Sequence, residues 1–160
     1  MVLANRLTRR LGIAYPILVL GVDGAQAAAV AVAGGLGLVV ERPAPSALWN
    51  VALANGARAT MAEVRTQEEA RRVLDLGADL VMTRGADQVF TCWAADLISR
   101  HSYDALLVVG DGIADGRGLA AALVLGADGV AIDVDGRGGE AEALVRRIAD
   151  QAYVLLDDAA

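Results

Sequence analysis

Acidic side chains recur in this 160-residue chain at the points where its apolar runs end. They are Asp23, Glu41, Glu63, Asp87, Asp111, Asp133 and Asp135. If the apolar runs are parallel strands, these carboxylates share one edge of a sheet, where their oxygens could bind a divalent cation and would repel a phosphate. They could equally be solvated loop acids, partly neutralised by Arg42, Arg65 and Arg84 nearby in the sequence.

The single histidine and the single cysteine are poor candidates for catalysis. His101 precedes an apolar run instead of following one, so it is expected at the far end of the sheet, as a helix-terminal residue that interacts favourably with the helix dipole. Cys92 has the apolar neighbours Phe90 and Trp93, and we predict a small buried residue instead of a nucleophile. One cysteine cannot form an internal disulfide, which is typical of a reducing compartment.

The composition excludes several classes of function. All fourteen basic residues are arginine, so no lysine can form a Schiff base or serve in a phosphate-binding P-loop. The net charge of −6 argues against nucleic-acid binding, which needs a basic face. The first residues lack the apolar run of a secretory signal, and Asp23, Gln26, Gly34 and Gly35 interrupt the apolar stretch 15–40. We therefore predict a cytoplasmic protein with no membrane span.

Short apolar runs alternate with alanine-rich segments of helical character. The runs predict strands at residues 15–20, 36–40, 58–62, 79–83, 104–109 and 129–133, and 153–156 is a candidate for a seventh. Their continuous apolar character is typical of parallel strands covered on both faces. The regular alternation predicts one α/β domain over residues 1–160, with right-handed crossovers between the strands.

Two helix-to-strand junctions repeat one pattern. Thr66 and Glu69 have the spacing of a capping box, and Gly77 follows the helix they begin, where a left-handed residue ends a helix. A second such junction is centred on Gly126, 49 residues after Gly77. Any α/β protein can repeat such junctions, so they support the fold class and not a particular family.

Four segments in order carry a resemblance to a known family. They are residues 5–17, 27–37, 60–79 and 112–130, and together with the spaces between them they cover most of the chain. This ordered set resembles the nitronate monooxygenases, formerly called 2-nitropropane dioxygenases, and related flavin barrels share parts of it. The resemblance implies a (β/α)₈ TIM barrel that binds FMN. The chain is too short for the full barrel and lacks about two strand–helix units between Val40 and Arg58, which implies a shortened or incomplete barrel.

The resemblance places the FMN at the carboxyl ends of the strands. The turn that contains Gly110, Gly112 and Gly116 would give backbone amides to the FMN phosphate, and Gly21 and Gly24 would leave room for the flavin after the first strand. The alternative is a tight strand-to-helix turn in which Asp115 caps the following helix.

Three departures from the family bear on its chemistry. Asp111 stands where the family has a second glycine, and Asp133 and Val134 stand where it has a phosphate-binding Gly-Thr pair, so negative charge is added. The catalytic histidine of the family is absent from residues 84–90. Asp87 is the candidate catalytic residue there, and it could replace the histidine only if burial made it a stronger base.

The sequence therefore predicts an FMN-dependent oxidoreductase that resembles nitronate monooxygenase and oxidises small alkyl nitronates as its small-molecule substrate. Two alternatives stay open. One is a non-catalytic barrel relative that acts as an assembly module, and the other is an α/β domain that binds a divalent cation. An incomplete parallel sheet leaves open strand edges, so we also expect a homodimer that buries an edge.

Overall fold

The computed structural model describes residues 3–39, 47–52, 58–84, 87–134 and 140–158. Seven strands lie in these ranges: β1 (Ile17–Leu20), β2 (Leu36–Leu38), β3 (Trp49–Ala52), β4 (Arg58–Val64), β5 (Leu80–Thr83), β6 (Leu106–Val109) and β7 (Gly129–Asp133). The helices are α1 (Arg6–Leu11), α2 (Gly24–Val32), α3 (Gln67–Asp75), α4 (Gln88–Arg100), α5 (Gly116–Val124) and α6 (Ala141–Asp157). None of these helices is long and apolar enough to cross a membrane.

The strands form one sheet in the order β2-β1-β7-β6-β5-β4-β3. Six strands run parallel, whereas β3 pairs with β4 in the antiparallel sense. Because parallel strands end at the same edge, the carboxyl ends of the six strands lie together at one end of the molecule. The predicted α/β class and the shortened TIM-type barrel are confirmed.

The sheet curves until its two outer strands approach each other. One buried apolar cluster contains side chains from all seven strands, including Leu38 of β2 and Val51 of β3. These two residues also line a common cavity of about 150 Å³. The interior of the barrel is therefore a packed core, in which each buried leucine side chain contributes about 1.5–3 kcal/mol.

Helix α1 covers the amino end of the barrel. Leu7 and Leu11 on one face of α1 join the interior cluster. The Arg6 guanidinium donates to the Ala105 carbonyl oxygen at 3.0 Å, and Arg10 donates to the Asp104 carbonyl oxygen at 2.8 Å, both just before β6. Packing and arginine hydrogen bonds thus hold α1 across this end of the barrel.

The predicted helix junctions are present with one difference. Gly77 and Gly126 have φ values of 84° and 96°, the left-handed conformation expected after a helix. The Thr66 hydroxyl accepts from the Glu69 amide, as predicted. The Glu69 carboxylate, however, accepts from the amide of Arg65 and not from that of Thr66, because it reaches one residue further back.

Three sequence predictions are wrong. Residues 153–156 belong to α6 and not to a seventh parallel strand, because the whole segment from Ala141 buries one helical face. The seventh strand is β3, which was not predicted. Cys92 is exposed and not buried, because it lies on the outer face of α4 between the buried Thr91 and the half-buried Trp93.

Four residues used in the sequence predictions lie outside the described residues: Val40, Glu41, Arg42 and Asp135.

Candidate functional site

Three charged side chains form the uppermost layer of the barrel interior. Side chains alternate between the two faces of a strand, so a residue two positions after an interior residue also points inward. Glu63 follows Met61, Arg84 follows Met82 and Asp133 follows Ala131 in this way, and all three preceding residues belong to the interior cluster. The strand pattern thus places Glu63, Arg84 and Asp133 together at the carboxyl end.

Arg84 is the centre of this layer. Its side chain is only 9% exposed, and its guanidinium contacts carboxylates from three neighbouring strands or their loops. The distances are 3.3 Å from Nε to Oε2 of Glu63, 2.7 Å from Nη1 to Oδ1 of Asp111 and 3.8 Å from Nη2 to Oδ2 of Asp133. Nη1 also donates to the Gly110 carbonyl oxygen at 3.0 Å. We call these four charged residues the Arg84 cluster.

The Arg84 cluster explains where the predicted acids go. Glu63, Asp111 and Asp133 converge on a guanidinium, and Arg65 adds a second positive charge at 3.0 Å from Glu63. Within the described ranges, no group of three metal-ligating side chains is arranged to hold a metal ion. Among the described acids, Arg84 supplies the compensating charge that the divalent cation of the alternative hypothesis would have supplied, and Glu41 and Asp135 of the predicted group lie outside the described residues.

The glycine turn after β6 is used mainly for packing. A Cβ atom on Gly110 would lie 2.8 Å from Cγ and Sδ of Met82, so a larger residue would have to displace the buried Met82 side chain. The Gly110 amide donates to the Thr83 carbonyl oxygen at 2.9 Å. Gly112 has a φ of 75°, which favours glycine in this turn. Packing and turn geometry within the chain therefore explain why glycine stands at positions 110 and 112, two of the predicted phosphate-binding positions.

The first amides of α5 already have protein partners. The Gly116 amide donates to Oε1 of Gln151 at 3.0 Å, and the Asp115 carboxylate accepts from the amides of Arg117 and Gly118. The hydrogen bond from Gly118, together with the Arg117 side chain, lowers the pKa of Asp115, so the cap is a carboxylate at neutral pH. These amides have protein oxygens as partners, which agrees with the alternative of a tight turn capped by Asp115.

A larger cavity lies beside this turn, at the carboxyl end of β7. Its volume is about 570 Å³, within the range of small-molecule sites. Asp133 and Val134, two predicted site residues, line it together with Ile113, Ala114, Ile132 and the start of α6. Glu140 is the N-cap residue of α6, and its side chain makes no capping hydrogen bond. Arg147, two turns into the helix, also lines the cavity.

Gly21, Gly24 and Asp87 lie at the same end but in different surroundings. Gly21 follows β1 with a φ of 75°, and Gly24 is the first residue of α2, which Asp23 caps. The Val134 amide donates to the Leu20 carbonyl oxygen at 3.3 Å, so the turn at Gly21 adjoins the cavity. Asp87 is exposed and caps α4 through the Val89 amide, so the burial on which its role as a base depended is not present. His101 ends α4, as predicted.

Two residues of this region were not predicted, and a third, Arg84, was predicted only as one of three arginines that partly neutralise the acids. Gln151 and Arg147 come from α6, whose position against α5 and β7 could not be inferred from local sequence. Arg84 carried a usable signal, because it stands two residues after the interior Met82 and directly after a buried strand.

The fold and the site define a shortened TIM-type barrel whose open end carries the Arg84 cluster and the cavity of about 570 Å³. Two solved structures of FabK from Thermotoga maritima, one of them a point mutant, share this fold with TM-scores of 0.64 and 0.60 at 20% and 22% sequence identity. The matches cover 84% and 83% of this chain but only 62% and 65% of the FabK chains. This chain therefore spans just under two thirds of the length of FabK. No protein-family model and no curated protein matches the sequence.

Proposed function

We propose that this chain is an FMN-dependent oxidoreductase with FMN held in the 570 Å³ cavity beside β7, and that its substrate is a small alkyl nitronate. The observation that carries the proposal is this cavity, at the end of a TIM-type barrel where ligands bind. The ordered sequence resemblance to nitronate monooxygenases supports the choice of cofactor and substrate.

The residues around the cavity fit FMN better than the glycine turn does. A phosphate needs positive charge and hydrogen-bond donors, and Arg147 together with the uncapped start of α6 offers both. The apolar side chains of Ile113, Ile132 and Leu144 offer a surface for an aromatic ring system. The carboxylates of Asp133 and Glu140 both line the cavity and oppose a phosphate; the guanidinium of Arg84 offsets the charge of Asp133, and Arg147 is the cation of the lining that offsets that of Glu140.

The chemistry divides between the cofactor and the chain. FMN, when bound, supplies the redox step. Arg147 binds its phosphate, the apolar lining excludes water, and the Arg84 cluster fixes the ends of β4 to β7 around the pocket. Asp87 caps a helix at the surface, which leaves the described part of the site without the family's base. A nitronate is already the deprotonated form of a nitroalkane, so the substrate proposed needs no base to remove its carbon-bound proton.

A flavin titration with matched variants tests the cofactor site. Arg146 and Arg147 are neighbours on α6, but Arg146 pairs with Glu142 at 3.1 Å on the exposed face and Arg147 lines the cavity. We expect Arg147→Gln to weaken FMN binding about tenfold or more, since a charge-assisted contact is lost, and Arg146→Gln to leave it unchanged. Equal effects of the two variants would contradict this location.

The substrate proposal is tested by comparing two forms of one compound. The FMN-loaded protein is given a small nitroalkane either freshly dissolved as the neutral acid or pre-equilibrated with alkali as the nitronate. We expect turnover only of the nitronate, because a base positioned for the carbon proton is absent from the described site. Equal initial rates with the two forms would mean that the protein removes the carbon-bound proton itself. That result would refute the view that Asp87 caps α4 and is not a base.

The second candidate function is a non-catalytic barrel relative. It is favoured by one specific observation: the amides of Gly116, Arg117 and Gly118 are occupied by oxygens of Gln151 and Asp115, where the family resemblance would place a phosphate. A folded, colourless protein that takes up no added FMN would support this candidate over the first.

A further inference from the structure

A smaller cavity opens between α4 and α5 at the carboxyl end of the barrel, and we call it the α4–α5 groove. Its volume is about 150 Å³, which is enough for a benzene-sized molecule of about six non-hydrogen atoms. Its apolar wall includes Val109, Ile113, Ala122 and Leu125. Ile113 also lines the proposed FMN cavity, so the turn after β6 separates the two spaces. The groove can therefore hold a small ligand of its own.

A buried hydroxyl group in this groove has no partner. Thr91, in the first turn of α4, lines the groove and is only 4% exposed. Within the described part of the chain its hydroxyl neither donates nor accepts a hydrogen bond, whereas the hydroxyls of the buried Thr8 and Thr83 both have partners. Buried polar groups nearly always have a hydrogen-bond partner, so the Thr91 hydroxyl indicates a partner from outside the chain.

The polar part of the groove is acidic. Two carboxylates, Asp87 and Asp111, line it, and no basic side chain of the described residues does. Asp111 is paired with Arg84, but the Arg84 cluster together with Arg65 contains three carboxylates and only two guanidinium groups. The cluster therefore keeps one negative charge after all of its ion pairs have formed.

Asp87 adds a second negative charge, because it forms no ion pair within the described ranges. Its Oδ1 accepts from the Val89 amide at 2.9 Å, which leaves Oδ2 for a ligand. The positive end of α4 offsets only about half a charge there, so the groove stays negative. The Thr91 amide donates to the Asp87 carbonyl oxygen at 3.3 Å, so the carboxylate and the free hydroxyl stand one helical turn apart on one side of α4.

We propose that the α4–α5 groove binds a small primary alkylamine in its ammonium form. An ammonium group has three N–H donors, enough for the Asp87 carboxylate, the Thr91 hydroxyl and water. An alkyl chain of about four carbon atoms fits the remaining volume and contacts Ile113 and Leu125. The acidic lining repels a phosphate or a nitronate, so this site is separate from the proposed cofactor and substrate site.

Titration of ¹⁵N-labelled protein with isobutylamine at neutral pH tests the proposal. Isobutanol is the matched probe, because it has nearly the same shape and no charge. The full chain is titrated before any FMN is added, so the outcome does not depend on the proposed cofactor site. We expect isobutylamine to shift the backbone amide resonances of Thr91, Gly112 and Gly118 with a Kd of about 1 mM, and isobutanol to bind about tenfold more weakly. No shift at these positions at ten times that amine concentration, or equal affinities for the two compounds, would overturn the proposal.

Two helix caps supply matched variants. Asp87→Asn and Asp23→Asn both keep an oxygen that accepts the capping hydrogen bond, and Asp23 caps α2 outside the groove. We expect Asp87→Asn to weaken isobutylamine binding about tenfold and Asp23→Asn to leave it unchanged. Thr91→Val should weaken binding about threefold without loss of stability, because no hydrogen bond within the chain is broken. Equal effects of the two asparagine variants, or unchanged binding by Thr91→Val, would contradict the assignment.

Discussion

The Nη1 atom of Arg84 lies 2.7 Å from Oδ1 of Asp111, and the same guanidinium reaches Glu63 and Asp133. One cation thus joins the carboxyl ends of β4, β5, β6 and β7. Without Arg84 the three carboxylates would repel one another, and with it they form a connected layer over the apolar core. The proposed FMN cavity borders this layer through Asp133.

Removal of Arg84 should destabilise the fold strongly. Arg84→Met leaves three carboxylates near one another without their buried partner, and the loss of one member of a buried charge cluster costs about 3–5 kcal/mol. Arg65→Met is the control, because Arg65 is 61% exposed and its pair with Glu63 is worth at most about 1 kcal/mol. Urea unfolding measures both, and similar losses for the two variants would argue against the central role of Arg84.

Gly116 should tolerate no side chain, whereas Gly118 in the same turn of α5 should. A Cβ atom on Gly116 would lie 2.3 Å from Cβ of Gln151 and 2.4 Å from the amide nitrogen of Ala152, and the α6 backbone cannot move aside easily. On Gly118 the nearest atom, Cδ1 of Ile113, is 3.3 Å away at the end of a flexible side chain. We expect Gly116→Ala to cost about 1–3 kcal/mol or more. Gly118→Ala should be neutral or stabilising by up to about 1 kcal/mol, because alanine favours helix.

The thermal unfolding midpoints of the two alanine variants give the comparison. A Gly116→Ala protein as stable as the parent chain would mean that α5 and α6 do not pack as closely as the structure shows.

Asp128 should make folding stability depend on pH in an unusual direction. Burial raises the pKa of its carboxyl group above the ordinary 3.8, although the hydrogen bond from the Leu107 amide and the charge of Arg6 lower it in part. Between 3.8 and the higher folded value, the folded chain binds more protons than the unfolded chain. The contribution of Asp128 to stability is therefore greatest below this window and is lost as the pH rises through it.

The variant Asp128→Asn isolates this effect, because an asparagine oxygen can still accept from the Leu107 amide but does not titrate. Relative to the parent chain, the variant should gain stability as the pH rises from about 3 to about 7. Unfolding curves at several pH values measure the difference. If the stability of the variant relative to the parent chain stayed constant or fell as the pH rose, the surroundings of Asp128 would not disfavour its charged form.

The open strand edges predict self-association. Within the described ranges, β2 and β3 are the outer strands of the sheet and are not paired with each other. Exposed Val39 follows β2 and the partly exposed Leu48 precedes β3, so apolar side chains flank this seam. We predict a homodimer that covers it. Light scattering after size-exclusion chromatography should give twice the chain mass, and a Val39→Glu variant should shift it toward one chain. A clean monomer at all micromolar concentrations would rule this out.

Much of the fold could be predicted because its signals are local. Continuous apolar runs gave the six parallel strands, and glycines such as Gly77 and Gly126 marked the ends of helices. Strand β3 was missed because only Val51 among its four residues is fully buried, so no apolar run is present. Residues 153–156 were misassigned because a short apolar run has no period of its own, and only the longer stretch from Ala141 shows the helical repeat.

The site was harder to predict than the fold because its partners are distant in sequence. The acids after the strands were recognised as a group, and their common position at the carboxyl end agrees with the structure for Glu63, Asp111 and Asp133. Arg84 was recognised as one of three arginines that could neutralise these acids, but its buried, central position was not, since the inward direction of its side chain depends on the register of β5 with its neighbours. Gln151 caps a helix 35 residues earlier, a contact that no local pattern indicates.

The most direct test of the account is a crystal structure of the protein grown with FMN. The account predicts density for the phosphate in the cavity between Ala114, Val134 and the start of α6, with the Arg147 guanidinium within hydrogen-bonding distance. Crystals with no flavin at saturating FMN, or a phosphate at the Gly116 amide with Gln151 displaced, would contradict it.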